Sequence, residues 1–161
     1  MRSVPIVLLP ISVEAAAAIA EGRPPPGVQV AADYPTEFSA GVGRSAGAGR
    51  ELGPFFIHRA EDDVVVGEIG GGFTGPGLVE IGYAVVASCW GRGYATDAVR
   101  ALVDRARALP AVERIVGHTP LDRPASGRVL EKAGFANVGE IDDEHEGVPL
   151  RVLEWSLALP R

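Results

Sequence analysis

The segment with the strongest chemical signal is Trp90-Gly91-Arg92-Gly93-Tyr94-Ala95-Thr96, which joins an apolar, strand-like run directly to an amphipathic helical pattern. Two glycines let the backbone fold close to a ligand, and the helix begins without Ser, Thr, Asp or Asn at its cap. Several N–H groups and the positive end of the helix dipole are then left for an anion, which are the requirements of a phosphate cradle. A tight strand-to-helix turn meets the same pattern, so context has to decide between them. A dinucleotide-binding loop is excluded because GxGxxG fails at Thr96, and Glu113, at the right distance, precedes a strand instead of ending one. No Gly-Lys followed by Ser or Thr supplies a P-loop. Gly43-Arg44-Ser45-Ala46-Gly47 spells GxSxG, with Asp142, Asp143 and His145 downstream in triad order. It lies in glycine-rich chain with no buried strand before it, which predicts a loop and not a nucleophile elbow. Cys89 has nothing near it in sequence to lower its pKa and reads as packing. His58, at a strand end without a sequence partner, reads as structural. Glu140, Asp142, Asp143, Glu144 and Glu146 read as a solvated hairpin tip.

The elements that must position these residues follow from periodicity. A strand over Val4 to Leu9 and a helix over Val13 to Glu21 open the chain. This beginning imitates a signal peptide, but Pro5, Pro10 and Glu14 interrupt its apolar run. Gly and Pro then break residues 22–54 into loop, with a short helix near Pro35 through Thr36, Glu37 and Phe38. Gly53 to Arg59, Val64 to Gly71 and Gly77 to Val86 predict a three-stranded meander. Apolar residues at 95, 98, 99, 102, 103 and 106 form one helical face, and Pro110 ends that helix. A strand near Arg114 to Thr119 follows, then a helix near Pro124 to Ala133 closed by Gly134. A hairpin of Ala136 to Ile141 and Val148 to Ser156 completes the order βααβββαβαββ.

With 161 residues, residues 1–161 are expected to form one domain able to bury a core without staples. The 21 acids against 15 bases, net −6, argue against phosphate-dominated nucleic-acid binding and favour a cationic partner. One cysteine allows no internal disulfide, and no Cys/His cluster supplies zinc ligands, which fits a reducing cytoplasm and no metal. No apolar run reaches the ~20 residues of a membrane span, so no membrane partner is expected.

The run from Glu80 to Ala98, EIGYAVVASCWGRGYATDA, followed by Ser126-Gly127-Arg128-Val129-Leu130-Glu131-Lys132-Ala133-Gly134-Phe135, resembles the GNAT acyltransferases. Within them it looks most like the ribosomal-protein N-terminal acetyltransferase (Rim-like) branch. The resemblance covers about Val64 to Ser156, and its two motifs occur in the right order and spacing. It implies a single-domain α/β (α+β) fold: a mixed, mostly antiparallel sheet of about six to seven strands, flanked by helices, with a splay between two central parallel strands. It further implies acetyl-CoA as co-substrate, its pyrophosphate held by N–H groups of Gly91 to Ala95, with Trp90, Arg92, Gly93, Tyr94 and Thr96 completing the loop. Tyr83, Ala84 and Val85 would line the pantetheine arm, which adds like a strand in the splay, and an N–H near Val85 would polarise the thioester carbonyl. Where the family usually has Asn, this chain has Arg123, which leaves the pantetheine contact to that residue. Where it often has a Tyr acid, this chain has Leu130, which leaves Ser126 as the nearest hydroxyl.

For N-acetylation a neutral amine must attack, so a base must accept a proton, directly or through water. Two residues qualify: Glu80 on the strand beside the splay, and His118, where some relatives carry a catalytic glutamate. Histidine has the better-matched unperturbed pKa of about 6.5. Glu80 acting through water is slightly favoured, since an acid there also attracts a cationic amine. The acceptor is open: a protein N-terminus, an aminoglycoside-like antibiotic, a polyamine or another metabolite. A homodimer is among the open oligomeric states. The rival functions are a non-catalytic acyl-CoA-binding or regulatory module and, more remotely, a serine hydrolase using Ser45.

Overall fold

The computed structural model of the protein describes residues 5–36, 39, 51–145 and 147–160. Eight strands form one sheet: β1 (Ile6–Pro10), β2 (Gln29–Val30), β3 (Phe55–Arg59), β4 (Val64–Gly75), β5 (Leu78–Val85), β6 (Arg114–Pro120), β7 (Ala136–His145) and β8 (Val148–Ala158). Their order is β1-β3-β4-β5-β6-β8-β7, with β2 paired to β4. Neighbours along that order are antiparallel except β5 and β6, which run parallel. The expected fold is therefore present, enlarged by the two-residue β2, too short to leave a sequence pattern.

The helices that flank the sheet and position the site are α1 (Val13–Ala20), α2 (Tyr94–Arg107) and α3 (Pro124–Lys132). Ser12 caps α1 by accepting from the Ala15 N–H. The apolar stripe of α2 is buried through Ala98, Val99, Leu102, Val103 and Ala106, and joins the core around Phe55, Ile69 and Val79. Pro124 starts α3, and Gly134, at φ 100, ends it, with the Phe135 N–H donating to the Leu130 carbonyl. The end of the short helix expected near Pro35 lies outside the described residues, as does the GxSxG segment with Ser45.

Two boundaries lie four residues beyond expectation. β4 runs past its expected end at Gly71 to Gly75, because Phe73 pairs with Val79 and Gly75 with Leu78 at the start of β5. β7 continues to His145, with residues 140–145 paired to β8 from Glu140 opposite Leu153 to His145 opposite Val148. The acidic run is therefore mostly strand and not hairpin tip; Glu146 lies outside the described residues. Among the described residues no helix is long and apolar enough to cross a membrane.

Candidate active site

The β5–β6 pairing runs from Leu78 opposite Arg114 to Ile81 opposite Gly117 and stops there. Beyond it β5 stays with β4, through Gly82 opposite Gly70 to Val85 opposite Gly67. β6 instead leaves with β8, through His118 opposite Glu154 to Pro120 opposite Val152. The Gly82–Val85 edge consequently faces no strand among the described residues, which is the splay the resemblance implied. Val86 donates its N–H to Val66 on the β4 side, and the Val85 carbonyl accepts from the Trp90 indole Nε1 at 2.6 Å on the other. By strand alternation the Val85 N–H shares the open edge with its carbonyl.

The first turn of α3 is tied to this edge. The Tyr83 hydroxyl donates to the Ser126 carbonyl at 2.8 Å, and burial pushes the Tyr83 phenol up, so it stays a donor. Ser126 is half-buried there, whereas Arg123, at the N-cap of α3, is exposed. Leu130 is fully buried, and a Cβ built on Gly117 of β6 would come within 2.9 Å of its Cδ1. It belongs to the packing between α3 and β6 and offers the site no polar group.

At the head of α2, Gly91 and Gly93 take φ values of 78° and 82°, a left-handed conformation that favours glycine. Gly93 is the N-cap and contributes no side-chain bond, and the first intrahelical bond runs from Asp97 N–H to the Gly93 carbonyl at 3.0 Å. The N–H groups of Tyr94, Ala95 and Thr96 therefore have no partner within the helix. Arg92 is exposed beside them, and Trp90, 66% exposed, stands between this turn and the open edge of β5. Asp33 steadies the approach to the turn: it accepts the Ser88 N–H at 2.9 Å and hydroxyl at 2.8 Å, which hold its carboxyl below the usual range. Cys89 is buried, as expected of packing.

Glu80 and His118 are brought together. His118 Nδ1 lies 3.6 Å from Glu80 and 3.8 Å from Asp143, and Nε2 lies 3.1 Å from Glu154. The ring is 18% exposed and the Glu80 side chain 47%. Glu140 and Asp142 are engaged by Arg151 at 3.3 and 2.8 Å, so of the β7 acids it is Asp143 that meets the histidine. Among the described residues no such cluster is arranged to hold a metal ion. Asp143 and Glu154 as partners of His118 were missed by sequence reasoning, because their contact depends on strand register. A third acid, Glu68, is fully buried opposite Ala84 and accepts the Tyr34 hydroxyl at 2.6 Å. Burial raises its pKa, against the lowering effect of hydrogen bonds from Tyr34 and Ser39. His58 is buried too, and its Nδ1 meets Asp63 at 2.9 Å, a partner five residues away.

The arrangement can hold an anion on backbone N–H groups, accept an extended amide-bearing chain along β5, and accept a proton at the Glu80–His118 pair. The chain resembles in structure a GNAT-family acetyltransferase from Bacillus anthracis, at TM-score 0.70 and 16% identity over 96% of this chain and 95% of that one. It resembles RimJ of Mycobacterium smegmatis in complex with CoA-disulfide, at TM-score 0.65 and 24% identity over 95% and 81%. It also resembles a chimera of the spermidine N-acetyltransferase SpeG from Vibrio cholerae and hSSAT, at TM-score 0.69 and 12% identity over 96% of each. At these identities the likeness is one of fold. No curated protein matches the chain in sequence. The family model described as acetyltransferase (GNAT) domain matches residues 12–136, and with most of the chain covered, the protein belongs to the GNAT acetyltransferase family.

Proposed function

We propose that this GNAT acetyltransferase carries acetyl from acetyl-CoA to a cationic primary amine by direct attack in a ternary complex, in the manner of the Rim-like branch. The observation that carries this reading is a juxtaposition at one end of the β5–β6 pair. An unpaired strand edge, an uncapped helix N-terminus and the Glu80–His118 pair all meet there.

These residues fit acetyl-CoA: the positive-φ glycines and free N–H groups suit a pyrophosphate, and the open β5 edge suits an extended amide chain. Bound acetyl-CoA supplies an acyl group activated as a thioester. Gly91 to Ala95 hold the phosphates, with Trp90, Arg92 and Thr96 flanking. Tyr83, Ala84 and Val85 line the arm together with the α3 start at Arg123 and Ser126. The Val85 N–H polarises the carbonyl. Glu80, Asp143 and Glu154 attract a protonated amine, and the Glu80–His118 pair takes its proton. Ser126 is the nearest hydroxyl to return a proton to sulfur.

Spermidine is the acceptor named for one structural neighbour, and a small polyamine or a protein N-terminus both fit a cationic amine. The single cysteine fits a reducing cytoplasm. The test is thiol release from acetyl-CoA with spermidine, an aminoglycoside and short peptides bearing a free α-amine. Amine-dependent release supports the reading. Acetyl-CoA binding without release by any amine would favour the non-catalytic acyl-CoA-binding module, and fluorophosphonate labelling lost in Ser45→Ala would favour the serine hydrolase.

A further inference from the structure

We propose that Glu154 is a positioning residue for acetyl transfer: it holds His118 with its hydrogen on Nε2, leaving the Nδ1 lone pair on the Glu80 side to receive the amine's proton. This rests on the function proposed above. His118 and Glu154 stand directly opposite one another on antiparallel β6 and β8, with Nε2 3.1 Å from Glu154 Oε1. An ionised carboxylate only accepts hydrogen bonds, so the hydrogen between them belongs to Nε2. A neutral imidazole then carries its lone pair on Nδ1.

The other two carboxylates lie on the Nδ1 side, Glu80 at 3.6 Å and Asp143 at 3.8 Å. Both are beyond hydrogen-bond distance, so neither engages Nδ1 while the ring is neutral. Both are near enough to stabilise the ring once it is protonated. The imidazole thus faces one carboxylate from each of β5, β7 and β8. As the amine nitrogen bonds to the acyl carbon and the carbon–sulfur bond breaks, the N–H proton passes to Nδ1 and the electron pair leaves with sulfur. Directly opposed residues of an antiparallel pair are held within about 5.5 Å by the ladder itself, so register sets Glu154 beside His118.

The chain has three histidines, so long-range nitrogen NMR of histidine-labelled protein resolves them, with His118→Gln giving the assignment. At a pH where its nitrogen shifts show the ring to be neutral, wild-type His118 is expected as the Nε2–H tautomer and Glu154→Leu as a mixture. Glu154→Gln keeps an oxygen that can accept from Nε2 and should restore the tautomer. In acetyl transfer to spermidine or a short peptide, Glu154→Leu should lower kcat about 10- to 100-fold with KM little changed, and Glu154→Gln should stay within about threefold of wild type. An Nδ1–H tautomer in the wild type overturns the assignment whatever the activity. So does a folded Glu154→Leu enzyme with wild-type kcat. An Nε2–H tautomer alongside a fully active His118→Gln enzyme supports the hold of Glu154 on the ring and overturns only His118 as proton acceptor.

Discussion

At the scale of single residues, Glu68 is a fully buried acid that accepts hydrogen bonds from Tyr34 and Ser39. Burial raises its folded-state pKa above that of the unfolded chain, so the native state favours the protonated acid. The stability this group contributes is fully present below the ordinary carboxyl value of about 4.3 and is lost as pH rises through the folded value. Glu68→Gln keeps an oxygen for Tyr34 and removes the charge. Thermal melts of the two proteins should converge near about pH 4 and separate in favour of the variant toward about pH 8, and a wild type that gains on the variant with rising pH contradicts this. Glu80 and His118 call for kinetics instead. Because they lie 3.6 Å apart at one site, Glu80→Gln and His118→Gln should each lower kcat by about 10²-fold, with the double variant far from additive. If neither single change reaches tenfold, proximity of an already neutral amine accounts for the rate.

Among the elements, α3 reverses a propensity rule. Gly127 in a helix interior ordinarily costs about 1 kcal/mol relative to Ala, so Gly127→Ala should stabilise on propensity alone. A Cβ there would come within 2.6 Å of the Trp155 ring, which is fixed by its indole bond to Thr119 at 2.9 Å. Overpacking of about 1 to 3 kcal/mol exceeds the gain, so Gly127→Ala should lower the melting temperature. A higher one would mean that the ring yields. This close approach brings the start of α3, with Ser126, against the open edge of β5, and it could not be read from the chain because Trp155 lies 28 positions away. The same division runs through the rest of the molecule. The strand-to-helix turn at 90–96 and the α2 stripe were legible because their chemistry is local. The company of His118 was not, because Asp143 and Glu154 reach it through the β6–β8 and β8–β7 registers, and alternation places a residue on a face without choosing its neighbour. The acidic run was misread as a tip for that reason.

For the molecule as a whole, the cradle follows directly on the C-terminal end of β5, where the splay opens, and a ligand that spans both joins α2, β5 and α3. Acetyl-CoA should therefore raise the melting temperature, by about 2.7 kcal/mol of stabilisation at a hundredfold excess over Kd, while NADH should not. Gly93→Val places a β-branched residue at φ 82 in the cradle and should abolish the shift while the protein still melts cooperatively. A retained shift would remove the turn from the binding site. The unpaired edge of β5 has a further consequence for the time the backbone spends open to solvent. In the free protein the Val85 amide has no strand to shelter it, while the Ala84 amide, one residue away, points into the ladder with β4. Deuterium should therefore enter at Val85 well before Ala84, and acetyl-CoA should slow Val85 while leaving Ala84 nearly unchanged, so that two adjacent amides report occupancy of the splay without any turnover.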